Sequence, residues 1–312
     1  MANRSIFKSS SGRRWLLAGP GMLAAAVPIA VGLLYAPQIR AQSEPTEPLA
    51  FEVASVKPHA PGDNRLYFPE FLPGGRFVAR VPLLILIATA YNLPFNFSVR
   101  LSGGPDWLRK PDGSVFDIEA TAGAGAIPAG LSVRARNDRM RLMLRALLAD
   151  RFKLVIHRET KELPVYALVV GKGGPKLQKA DIDEEDCPES VPPPAPGTPI
   201  TACHAFMGGR GRGLHARAVD MSDLASYVEN WTGRPLLDKT GLKGLFHIET
   251  TGWLPMEPGP PPAPGTKSED GMDMADVPTL FQVFERLGLK MESQRDRVDV
   301  YVIDHVERPS EN

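Results

Sequence analysis

Residues 139–170 read RMRLMLRALLADRFKLVIHRETKELPVYALVV, and a change of hydrophobic period inside this stretch decides the fold class. Met140, Met143, Leu144, Leu147 and Leu148 recur at i, i+3, i+4, i+7 and i+8, one face of a helix, while Arg139, Arg141 and Arg145 point elsewhere. After Asp150 and Arg151, Leu154 and Ile156 alternate with Lys153, Val155 and His157, so the period drops to 2 and a strand begins. On this reading Glu162, Leu163 and Pro164 make a turn, and Val165–Val170 is the strand that pairs back across it. A buried helix followed by a hairpin predicts an α+β fold.

Upstream, FEVASV (51–56), RFVARV (76–81) and SVFDIEA (114–120) alternate as strands, and PLLILIATAYNL (82–93) is a strongly apolar helix with Pro82 near its first turn. Downstream the same order returns. GRGLHAR (211–217) answers GGRFVAR (74–80), Val219, Met221 and Leu224 take the helix places of Val81, Leu83 and Leu86, and FHIET (246–250) answers FDIEA (116–120). TLFQVFERLGLKMES (279–293) and VDVYVI (298–303) then answer the helix, strand and VYALVV of the opening stretch. Two pseudo-repeated βαββαβ-like units are expected, 51–170 and 210–306, each a small sheet packed on two helices. Residues 171–209, with the acid run DIDEED (181–186) and a Pro-rich stretch, read as a linker, as do 42–50, and 307–312 as a polar tail.

Residues 1–41 stand apart. Arg4, Lys8, Arg13 and Arg14 precede an uncharged, mostly apolar run from Trp15 to Tyr35, which predicts a signal peptide or membrane anchor; both fit. The chain holds 36 basic and 36 acidic residues. Because this leader carries Arg4, Lys8, Arg13, Arg14 and Arg40 but no acid, the remainder is mildly acidic, which argues against a nucleic-acid partner. The location expected is the cell envelope. There, a disulfide between Cys187 and Cys203 is the simplest reading; the alternative, a metal site of Cys187, Cys203, His204 and His215, lacks the paired spacing of structural zinc sites.

Catalytic signatures are sparse. No GxSxG or HExxH occurs, and GGRGRG (208–213) lacks the phosphate-loop form and precedes a strand, so a turn is the better reading. No catalytic, cofactor or metal residues are assigned and no cofactor is expected. If the two units enclose a cleft, its candidate lining is Arg80, Asp106, Asp117, His157, Arg217, Asp238 and His247.

FEVASVKP, GGRF, GGPDWL, FDIEA, LLADRFKL with HRETKELPVYALVV and KGGPKL, GRPLLDKTGLKGLF and the closing VIDHVERPSEN together resemble the paralogous Solibacter-type family of exported proteins of unknown function, across 51–312. That resemblance implies a secreted or membrane-tethered protein with no established activity, and a possible partner class, since similar domains occur fused to membrane metallopeptidases of the antibiotic-sensor type. The stretch 221–244 with 279–293 is also similar to the short N-terminal domain shared by secretins and TonB-dependent receptors, which implies a protein-interaction module. The expected function is a protein- or peptide-binding adaptor of the envelope, using exposed sheet edges. The alternatives are an extracytoplasmic hydrolase-like enzyme with its site between the units, or a small-ligand sensor coupled to a membrane peptidase.

Overall fold

Alternation in the first half builds a four-stranded antiparallel sheet in the order β1-β5-β3-β2, from β1 (Phe51–Pro58), β2 (Tyr67–Leu72), β3 (Arg76–Pro82) and β5 (Val115–Ala122). Phe77, Ala79 and Val81 of β3 and Phe116, Ile118 and Ala120 of β5 are buried on one face, leaving Arg80, Asp117 and Glu119 on the other. The computed structural model describes residues 49–309 apart from 61, 63, 64, 96–98, 111–113, 189–201, 257–262, 264, 268–270, 272 and 275. The leader expected at 1–41 lies outside the described residues, and among those described no helix is long and apolar enough to cross a membrane.

Two helices cover the inner face. Helix α1 (Leu83–Ala90) is almost wholly buried. Helix α2 (Val133–Phe152) begins at Ser132, whose side chain accepts from Ala135 N at 3.2 Å, and ends where Lys153 turns left-handed at φ 51°. The predicted stripe Met140, Met143, Leu144, Leu147 and Leu148 is buried, together with Phe152, which meets Phe116 edge-on at 4.9 Å.

The predicted hairpin at 155–170 does not form. Val155–Val170 is one strand, β6, and it runs antiparallel along the whole of β12 (Leu289–His305), from Leu289 opposite Val170 to His305 opposite Val155. Pro164 sits inside β6 opposite Arg295, at a level where the only described neighbour is β12; a free outer edge tolerates the missing N–H. Two short strands complete this central sheet in the order β10-β6-β12-β4, and both are parallel to the strand they join. Here β4 (Leu101–Gly103), from the first half, lies on the second half's β12, and β10 (Leu236–Asp238), from the second, lies on the first half's β6.

The third sheet runs β7-β11-β9-β8, from β7 (Gln178–Lys179), β8 (Met207–Gly209), β9 (Gly213–Val219) and β11 (Phe246–Glu249). Its helices are short. The capping box of Asp220 and Asp223 starts α3 (Met221–Val228), and that of Thr279 and Gln282 starts α4 (Leu280–Arg286).

One sheet per half is therefore corrected to three sheets, the middle one shared. All the described residues fall in one compact unit. Its two main cores cross the expected boundary: Ile303 and Val306 belong to the core of the first half, and Leu168 to that of the second. The segment 171–209 is more than a linker, since it holds β7, β8 and the disulfide that joins Cys187 to Cys203.

Candidate functional site

The seven residues expected to line an inter-unit cleft do not converge. Arg80 and Asp117 do meet: they face each other across β3 and β5, with Arg80 Nε donating to Asp117 Oδ1 at 2.6 Å. Arg217 on β9 donates to both carboxylate oxygens of Asp181 at 3.1 Å, and His247 lies on the same sheet, in β11 opposite Gln178. His157 lies on the central sheet, hydrogen-bonded to Asp304 at 2.8 Å and Glu159 at 3.1 Å; those bonds, Asp304 first, raise its pKa. Asp238 closes a turn by accepting from Thr240 N and Oγ1 at 2.9 and 2.7 Å, and Asp106 opens the short 3-10 turn Asp106–Arg109. These residues thus stand in separate local contacts on the three sheets and in the turn that Asp106 opens.

Strand register lines up a row on the outward face of the first sheet. Lys57 of β1 is opposite Asp117, Asp117 opposite Arg80, and Arg80 opposite Tyr67 of β2. His59 Nδ1 reaches Asp117 Oδ2 at 3.1 Å, and the Arg80 guanidinium stands 4.9 Å from the centre of the Tyr67 ring. A shallow pocket of about 690 Å3 opens over this row and its neighbours Phe68, Glu70 and Glu119. Of its lining, Leu66, Tyr67 and Phe68 are 48, 51 and 54% exposed, and Phe95, 43% exposed, holds its ring 5.5 Å from that of Phe68. Large apolar side chains are thus exposed as a group next to paired charges.

A second cluster holds His204, which the sequence reading grouped with Cys187, Cys203 and His215 as the metal alternative, but with other partners. His204 follows the bridged Cys203 and is held with φ 56°, its ring between two carboxylates: Nδ1 lies 2.6 Å from Asp223 Oδ2 and Nε2 2.7 Å from Glu184 Oε2. Arg134, from the first turn of α2, donates to Asp220 Oδ2 and Asp223 Oδ1, both at 2.8 Å. Desolvation is the largest influence on His204 and disfavours the imidazolium, but the hydrogen bond and charge of Asp223, with Glu184 adding, outweigh it and raise the pKa. The one local hint was Asp220-x-x-Asp223 ahead of an apolar run, a helix-start pattern; Arg134, Glu184 and His204 arrive from separate segments.

The carboxyl most displaced from its ordinary range is Glu229, just after α3. Burial pushes it up to about 7 against the opposing pull of Arg100, whose Nε lies 2.8 Å from Oε1, and of the Leu236 N–H, which donates to Oε2 at 3.0 Å. Arg100 precedes β4, so this ion pair ties the two halves together.

The fold and surface define an α+β protein of three small sheets with an exposed aromatic and charged face. The chain belongs to a family of proteins of unknown function, DUF3738, whose sequence profile matches residues 85–306. No curated protein and no solved structure matches it.

Proposed function

We propose that the protein is a binding module of the cell envelope that holds a segment of a partner protein on the outward face of its first sheet. The observation that carries this reading is the exposed group Leu66, Tyr67, Phe68 and Phe95 beside the row Lys57, Asp117, Arg80 and Tyr67. Contact through the face is favoured over strand addition at β2 or the central ribbon. Pro69 interrupts the donor row of β2, and the free edge of β6 carries His157, Arg158, Glu159, Lys161 and Glu162, charges of the kind that keep strands apart. Envelope location rests on the leader, and a membrane metallopeptidase as partner rests on the family resemblance. Duplication is part of the reading: five sequence matches in order, and outer sheets whose strands follow one another alike, β1-β5-β3-β2 and β7-β11-β9-β8, support it.

The test is photocrosslinking in cells, with a photoreactive residue at position 68 of the full-length protein. One dominant envelope partner is expected, competed by a peptide from its crosslinked segment and lost on Tyr67→Ser with Arg80→Ala. Labelling indifferent to those changes, or no reproducible partner, refutes the reading.

A further inference from the structure

We propose that His204 Nδ1, Asp220 Oδ2 and Asp223 Oδ1 are the ligands of a site for one divalent metal ion of the zinc class, and that the Arg134 guanidinium stands in its place in this structure. One atom, an Arg134 terminal nitrogen, lies 2.8 Å from each of the two carboxylate oxygens and 3.0 Å from the imidazole nitrogen. The donor atoms of His204, Asp220 and Asp223 all lie within 4.8 Å of one another.

Hydrogen bonding accounts for both carboxylate contacts of that Arg134 nitrogen, which carries two hydrogens, but not for its contact with His204 Nδ1. Nδ1 also sits 2.6 Å from Asp223 Oδ2. If Nδ1 is protonated toward Asp223, the Arg134 contact sets donor against donor; if Nδ1 accepts from Arg134, its lone pair leaves the Asp223 contact with no hydrogen. A divalent cation there, with the three donor atoms drawn in from 2.8–3.0 Å to about 2.1 Å, accepts all three lone pairs at once, and two carboxylates with a neutral imidazole balance its charge.

The surroundings suit a ligand histidine. Nε2 is 2.7 Å from Glu184 Oε2, and a proton held there fixes the tautomer that frees Nδ1, as a carboxylate behind a metal-bound imidazole does. The other oxygen of each aspartate is engaged in the capping box, Asp223 N donating to Asp220 Oδ1 at 2.8 Å and Asp220 N to Asp223 Oδ2 at 3.0 Å. Each side chain therefore has one oxygen held and one aimed at the common point. The backbone of His204 is fixed by the Cys203 disulfide and by donation from its N–H to Ala218 O at 2.8 Å, so its left-handed conformation is over-determined. Cys187 lies close to Glu184 and His204, but its sulfur is committed to the disulfide and offers no thiolate. Mixed nitrogen and oxygen ligands favour zinc over magnesium.

The experiment is calorimetric titration of the chelator-treated full chain with Zn2+, and with Mg2+ as the hard-cation control. One Zn2+ per chain is expected, and Mg2+ should bind more weakly. Arg134→Ala vacates the point and removes a competing cation, so Zn2+ should bind about tenfold tighter, the order of effect of one neighbouring charge. His204→Gln and Asp220→Asn should each abolish that binding, while His157→Gln, at the exposed Asp304 and Glu159 contacts, should leave it intact. Thermal melts report whether each variant folds. If His204→Gln does not fold, the gain in Arg134→Ala and the visible spectrum of the Co2+ form, which reports nitrogen and oxygen ligation, still decide the matter. Absence of Zn2+ binding in both the wild type and Arg134→Ala, or binding insensitive to His204→Gln in the folded variant, overturns the proposal and leaves the cluster as a capping box with an ion pair.

Discussion

Replacing Glu229 by Gln should change the pH dependence of stability in a way that few other substitutions can. The residue is 5% exposed, and its carboxyl is raised from 4.5 to about 7, by burial above all. Between those pH values the folded chain keeps a proton that the unfolded chain has released. The unfolded state then binds fewer protons, so this group's contribution is full below about pH 4.5 and is lost as pH rises through about 7. At roughly 1.4 kcal/mol per pKa unit, the wild type should lose about 3 kcal/mol across that window relative to Glu229→Gln, whose amide oxygen can still accept from Leu236 N. The assay is urea unfolding of both proteins at several pH values, since the difference cancels groups common to both. Arg100→Met removes a charge that favours the ionised carboxyl, so its midpoint should move to higher pH. A wild-type-minus-variant difference that stays flat from pH 4.5 to 8 would refute the reasoning.

Phe152→Ala removes a fully buried ring packed edge-on to Phe116, and should cost about 3–5 kcal/mol in the same unfolding assay. Reducing the bridge between Cys187 and Cys203, 16 residues apart, should lower stability by at most about 3 kcal/mol; a melt with and without a phosphine reductant measures it, and no shift would mean that the loop is held without the bond. Gly213 has φ 76°, and a Cβ there would lie 1.9 Å from Thr250 O, a backbone atom. Gly213→Ala should therefore destabilise by more than the roughly 0.4–1 kcal/mol that the exchange gains at unstrained sites, with hydrogen exchange rising first in β8 and β9. A stable Gly213→Ala protein would show that the turn can open without disturbing the sheet.

How much of this was legible in the sequence follows from the range of each interaction. The buried stripe of α2 and the outward pair Arg80 and Asp117 obey periods of 3.6 and 2, which neighbouring residues display by themselves. Pro164 misled because a proline between two apolar runs usually marks a turn; here it stands in a long strand, beside an edge where no described strand asks for its N–H. Strand β2 carries no period that the sequence could show, since its aromatic side chains are exposed and alternate with no buried partner set. The sharing of the central sheet could not be read at all. β4 and β10 are three residues each, too short to carry a period, and each is defined only by a long strand from the opposite half. The His204 cluster failed for the same reason: Arg134, Glu184 with His204, and Asp220 with Asp223 occupy three segments whose meeting depends on that interlocked sheet and on a disulfide. Contacts between the halves thus gather charges that no single stretch of chain announces, Arg134 with Asp220 and Asp223 at one place and Arg100 with Glu229 at another.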